Sequence, residues 1–141
     1  SKPMHNIQHM IDRHGGFEAV RNRYLRLENP PLMRLVIEVI GGPHANGAYE
    51  VSVAHYAEQN GDAMRDPEIT FLVQPTEAGP LWTPLTFENS YLGAYQVVAE
   101  CNAGGLLTVR DPAAMRQLRD FANQWDINLK QQGFVEVFER G

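Results

Sequence analysis

The chain predicts an α+β fold: a mainly antiparallel sheet of about six strands, with short N-terminal helices and one long C-terminal helix packed on one face. Three observations carry that expectation. Apolar spacing runs at a helical period up to Tyr24, at a strand period from Leu32, and at a helical period again after Asp111. The strand-like runs are divided by tight Gly, Pro and Asn turns, which makes neighbouring strands antiparallel. No linker, internal repeat or low-complexity stretch interrupts the 141 residues, so a single domain over 1–141 is expected.

Each element follows from its own residues. Ile7, Met10, Ile11, Phe17, Val20 and Tyr24 suit two short helices broken at Gly15-Gly16. Leu32 to Ile40 is β-branched, opened by Asn29-Pro30-Pro31 and closed by Gly41-Gly42-Pro43. Tyr49 to Gln59 alternates, with Val51, Val53 and His55 on one face and Ser52, Ala54 and Tyr56 on the other. Ile69 to Gln74, Leu81 to Glu88, Tyr95 to Glu100 and Leu106 to Arg110 complete the strands. Asp111 reads as a helix N-cap and Pro112 as the first helical residue. Behind them Met115, Leu118, Phe121, Ala122, Trp125 and Leu129 make one apolar stripe. Gly133 suits a helix C-cap, and the aromatic and β-branched run Phe134-Val135-Glu136-Val137-Phe138 reads as a short final strand.

Composition narrows the class. Hydrophobic content of 43% with 21% charged residues belongs to a globular chain with a packed core. A net charge of −5 argues against non-specific binding to a phosphate backbone, which needs a basic face. Aromatic residues follow strand and helix periods without interleaved Lys or Arg, so a base-stacking platform is unsupported. No apolar run approaches the roughly 20 residues of a membrane helix. Ser1 to Pro3 read as an expression remnant ahead of a native Met4, with no apolar signal segment. A lone Cys101 forms no internal disulfide and supplies no multi-Cys metal site. A cytoplasmic protein is expected.

The chemistry concentrates between His55 and Glu68. Asn60-Gly61 is a type I′ hairpin signal, and centring the turn there sets the register. Gln59 faces Asp62, Glu58 faces Ala63, Ala57 faces Met64, Tyr56 faces Arg65 and His55 faces Asp66. That register makes His55–Asp66 a cross-strand pair in which the carboxylate orients the ring and raises its pKa. Tyr56 and Arg65 stack on the opposite face. Pro67, without an N–H, limits the ladder beyond them. Three readings compete for His55, Tyr56, Glu58, Asp62, Arg65, Asp66 and Glu68: a metal or catalytic site, a satisfied structural corner, or a polar contact surface. The spacing matches no His-Glu-x-x-His, calcium-loop or Cys-pair signature, which favours the last two and implies no metal and no cofactor.

Elsewhere the signals are weaker. His5 and His9 share a helix face at i, i+4, a spacing that can hold a metal but is more often solvated. Gly41 to Gly47 is Gly-rich but lacks a Lys-Ser/Thr ending, so it reads as a flexible hairpin loop rather than a phosphate loop. Cys101 has no base beside it in sequence and reads as a passive thiol. Ser52 and Ser90 sit in no nucleophile-elbow context. Trp82 and Trp125 read as core or rim anchors.

Several stretches carry a family likeness: Arg26 to Pro31, Ser52 to Tyr56, Glu58 to Asp62 and Met64 to Glu68. Tyr91-Leu92-Gly93 with Gln96, Phe121-Ala122, Trp125-Asp126, Asn128-Leu129 and Gln132-Gly133-Phe134 add to it. Together they resemble a domain of unknown function from bacterial phages, plasmids and integrative conjugative elements, found alone or within larger polyvalent proteins. The resemblance spans Leu25 to Val135 and implies context rather than chemistry: establishment, maintenance or defence evasion in a bacterial cytoplasm. It carries no catalytic residue and no cofactor.

Two functional expectations remain. One is a non-catalytic protein-binding or accessory module that contacts a host or mobile-element protein through a polar face. The other is a metal-dependent hydrolase or nuclease using His55, Asp62, Asp66 and Glu68, with Arg65 holding a phosphate.

Overall fold

The computed structural model describes residues 4–141, so the reading of Ser1 to Pro3 lies outside the described residues. The chain begins with helices α1 (His5–His14) and α2 (Phe17–Asn22), then strands β1 (Leu25–Leu27), β2 (Arg34–Gly41), β3 (Tyr49–Gln59), β4 (Asp62–Gln74), β5 (Leu81–Asn89) and β6 (Ala94–Val97). Strands β7 (Ala99–Cys101) and β8 (Leu107–Val109) follow, and helices α3 (Pro112–Gln131) and α4 (Phe134–Arg140) end it. The six strands β1 to β6 form one antiparallel sheet in sequence order, and β7 pairs with β8 in a small second sheet. This is the expected α+β architecture, with the helices on one face.

Three elements differ from expectation. Strand β1, at the sheet edge, is only three residues long and too short to carry a readable alternation. The run Tyr95 to Glu100 divides at Val98, which leaves the large sheet so that β7 can pair with β8. Phe134 to Phe138 is helical rather than a strand. Gly133 turns the chain at φ +91°, and Phe134, Val137 and Phe138 then meet the core at i, i+3 and i+4. Glu136 and Arg140 pair on its outer side.

The core lies between the sheet and the helices. Leu35 and Ile37 of β2, Val51 and Val53 of β3, Ile69 and Phe71 of β4 and Trp82 of β5 meet Ile7, Met10 and Ile11 of α1 and Leu118, Trp125 and Leu129 of α3. Trp82 is buried and donates its indole N–H to Gln8 Oε1 at 2.9 Å, which satisfies its one polar atom. Asp111 caps α3 as its sequence implies, accepting from the Ala114 N–H at 3.0 Å. Helix α1 has no such local cap. Its N-terminal donors are met from across the fold: Asp126 of α3 accepts from the Asn6 N–H at 3.0 Å and the Ile7 N–H at 2.9 Å. Burial pushes the Asp126 carboxyl up from its usual range, while the bonds from Asn6 and Ile7 and the nearby His5 pull the other way.

Asp126→Ala would strand two helix N–H groups in the interior. It is expected to cost about 2–3 kcal/mol, measured by urea denaturation followed by far-UV circular dichroism. Asp120→Ala, an exposed change on the same helix, is expected to stay within about 0.5 kcal/mol of the parent.

Candidate functional site

The β3–β4 hairpin positions most of the ionisable run. Asn60 (φ +53°) and Gly61 (φ +85°) both adopt the left-handed conformation that a type I′ turn requires. Pairing proceeds as expected through Gln59–Asp62, Glu58–Ala63, Ala57–Met64 and Tyr56–Arg65. It then shifts. Ala54 pairs with Glu68, so β4 places Asp66 and Pro67 together opposite the single His55. The ladder does not stop at Pro67; it bulges there and resumes.

The bulge breaks the expected His55–Asp66 pair. His55 turns toward the helices, with its ring centroid 5.4 Å from both Trp125 and Phe134. Its Nδ1 lies 3.1 Å from the Met33 carbonyl, which can only accept, so Nδ1 carries the proton. Burial lowers the imidazole pKa; hydrogen bonding to the Met33 and Arg34 backbone and the Asp66 charge oppose this without reversing it. The expected rise is therefore corrected to a fall. Asp66 accepts from the Asn89 side-chain amide at 2.7 Å. Glu58 and Asp62 remain at the exposed hairpin tip, Glu58 at 4.0 Å from Arg34.

The other residues of the run converge on the sheet face away from the helices. The bulge resets the alternation, so Arg65 and Glu68 share this face although three positions apart. Glu68 accepts from the Ser52 hydroxyl at 2.6 Å and lies 3.1 Å from Arg65 Nε, an ion-pair distance without hydrogen-bond alignment. Arg65 also approaches Glu88 at 3.8 Å, and its guanidinium carbon lies 5.4 Å from the centroid of the Tyr56 ring, as the register predicts. The Thr70 and Thr86 hydroxyls bond at 2.5 Å in the next row. Burial is the main cause of the raised Tyr56 pKa, with Glu68 adding to it.

Two hollows flank this polar centre. One of about 300 Å³ is lined by Tyr24, Arg34, Glu38 and Tyr56, among others. The second, of about 370 Å³, lies between the sheet and β7, with Ile40, Thr70, Thr86 and Tyr95 on its walls. Tyr24, Ile40 and Tyr95 are 53%, 53% and 64% exposed, an apolar rim around a hydrogen-bonded floor. A third hollow, about 590 Å³ between β1 and α4, has no part of the His55 to Glu68 run in its lining.

His55, Asp62, Asp66 and Glu68 are not brought together: His55 faces the helices, Glu68 faces away from them, Asp62 is at the tip and Asp66 is held by Asn89. His9 pairs with Glu139 at 3.3 Å, and His14 bonds the Arg23 carbonyl. Among the described residues, the one His/Cys/Asp/Glu group close enough to share a metal is His44, Glu50 and Cys101. Burial and Glu50 push the Cys101 thiol up to about 11. Sequence reading missed Ser52, Thr70, Thr86 and Glu88 on the open face. The usable signal was Pro67 inside a strand, which marks a bulge and so a change of parity.

The fold and this face define an α+β protein with a helical layer on one side of its sheet and a polar, aromatic-rimmed surface on the other. The chain belongs to the family Domain of unknown function (DUF6908), whose model matches residues 5–135. No curated protein and no solved structure matches it. Among the described residues, no helix is long and apolar enough to cross a membrane.

His55 sets a pH dependence. Its folded pKa is depressed, so the unfolded chain takes up a proton first as pH falls below about 6.5, and stability drops through that window. His55→Phe is expected to flatten the decline between about pH 7 and pH 5, read from melting temperatures of both proteins across that range.

Proposed function

We propose that the protein is a non-catalytic binding or accessory module of a bacterial mobile genetic element, acting in the cytoplasm during establishment, maintenance or evasion of host defence. The mobile-element setting rests on the likeness of the Arg26 to Phe134 stretches to domains carried by phages, plasmids and integrative conjugative elements. The binding role rests on one observation: the sheet face that the chain's own helices leave open carries a preformed polar floor inside an exposed apolar rim.

Charge selects the partner's chemistry. Glu38, Glu50, Glu68 and Glu88 stand on this face, against Arg26, Arg34 and Arg65, with Arg26 paired to Glu28. Arg65 is neutralised by Glu68 and Glu88, and Arg34 lies beside Glu58. Glu38, half-buried on the wall of the smaller hollow, has no ion pair among the described residues. The face therefore suits a host or element protein that presents Lys or Arg with aliphatic and hydroxyl neighbours. The rigid floor lowers the ordering cost of binding.

Photo-crosslinking residues placed at Tyr24 and Tyr95 should capture one and the same protein in bacterial lysate, and one at Gln117, on exposed α3, should not. Glu38→Lys should reduce that capture tenfold or more while leaving the melting temperature unchanged. Equal capture from Gln117, or no effect of Glu38→Lys, would remove the basis for this face as the contact.

A further inference from the structure

We propose that His44, Glu50 and Cys101 form a three-ligand site for a divalent transition metal, with Zn²⁺ the best fit, at the rim of the open sheet face. The three side chains come from separate parts of the chain: the β2–β3 loop, the start of β3 and the end of β7. Their ligand atoms all lie within 4.8 Å of one another, and all three residues are half-buried. His44 Nε2 is 2.9 Å from Glu50 Oε2 and 3.9 Å from Cys101 Sγ. A tetrahedral ion with bonds of about 2.0–2.3 Å needs ligand atoms roughly 3.3–3.8 Å apart, and the observed separations stand within about 1 Å of that set.

The surroundings are built to hold this juxtaposition. A Cβ at Gly41 would stand 2.7 Å from Glu50 Oε2, so glycine leaves the space that the carboxylate occupies. The loop carrying His44 is anchored rather than free. His44 N–H donates to the Ala48 carbonyl at 2.8 Å, and Asn46 donates to the Gly105 carbonyl at 3.0 Å. The second anchor fastens the loop to the turn that follows Cys101.

The donor set selects the metal. One sulfur, one imidazole nitrogen and one carboxylate oxygen form a borderline-soft mixture that suits Zn²⁺ or Co²⁺ and disfavours Ca²⁺ and Mg²⁺, which take oxygen shells. Binding replaces the thiol proton of Cys101, which leaves to water, and requires the His44 ring proton on Nδ1; nothing is oxidised or reduced. Glu50 and Cys101 also line the 370 Å³ hollow, so the fourth position opens toward Thr70, Thr86 and Tyr95. A three-ligand site with an open position binds water or an anionic ligand group. The site shares Glu50 and the Tyr95-lined hollow with the proposed binding face but rests on the ligand geometry alone.

Titration of the reduced, full-length protein with Co²⁺ tests it. One equivalent should produce a near-ultraviolet thiolate-to-cobalt absorption and intense tetrahedral visible bands, and Zn²⁺ should abolish both. Cys101→Ser should lose the thiolate band, and Glu50→Gln and His44→Ala should each weaken binding tenfold or more. His9→Ala should change nothing. Circular dichroism confirms that each variant is folded, and Cys101→Ser is near-isosteric. Absence of the thiolate band in the parent protein, or its survival in Cys101→Ser, would overturn the assignment.

Discussion

The β4 bulge at Asp66–Pro67 is the constraint on which the sheet's two faces depend. In an unbroken strand, Arg65 and Glu68 point to opposite sides. The extra residue reverses the parity, so that Ile69 and Phe71 reach the helices while Arg65 and Glu68 meet on the other face. The same shift isolates His55 against Trp125 and Phe134. Two pressures are reconciled at one point. The distal hairpin obeys its Asn60-Gly61 turn, and the proximal sheet obeys its apolar pattern; their registers differ by one residue. Pro67 suits that junction because a residue without an N–H sits best where a ladder bond is absent.

The helical layer depends on a different kind of contact. Apolar burial draws α1 onto α3, but it fixes neither how far the helix slides nor where it starts. The Asp126 carboxylate supplies direction, since it meets two particular N–H groups of α1. A charge at a helix N-terminus also complements the helix dipole, which adds to the hydrogen bonds in a site that excludes water. One residue of the last long helix therefore sets the position of the first.

Local chemistry made much of this legible in the sequence. The Asn60-Gly61 turn gave a correct register for four pairs, and the Asp111-Pro112 start of α3 was correct in detail. The register failed at the fifth pair, because turn geometry governs only the residues near it and a bulge answers to the distant core. Phe134 to Phe138 was ambiguous for another reason. Its aromatic and β-branched residue types suit a strand, while Phe134, Val137 and Phe138 at i, i+3 and i+4 suit a helix; tertiary packing decided between them. Leu25 to Leu27 was too short to show any period. Of the seven residues singled out, Tyr56, Arg65 and Glu68 meet on one face and the other four do not. The His44, Glu50 and Cys101 group was invisible, since its spacing in the chain follows no motif and only the packing of a loop against a turn brings it together.

The position of α4 has a consequence for how the domain can be carried. Helices α1 and α4, the first and last elements, lie side by side, joined by the His9–Glu139 contact at 3.3 Å. Both belong to the helical layer, on the far side of the sheet from the polar floor. A longer polypeptide attached at either helix would therefore start from the layer behind the exposed surface. A domain tethered this way keeps the polar sheet face turned away from its attachment.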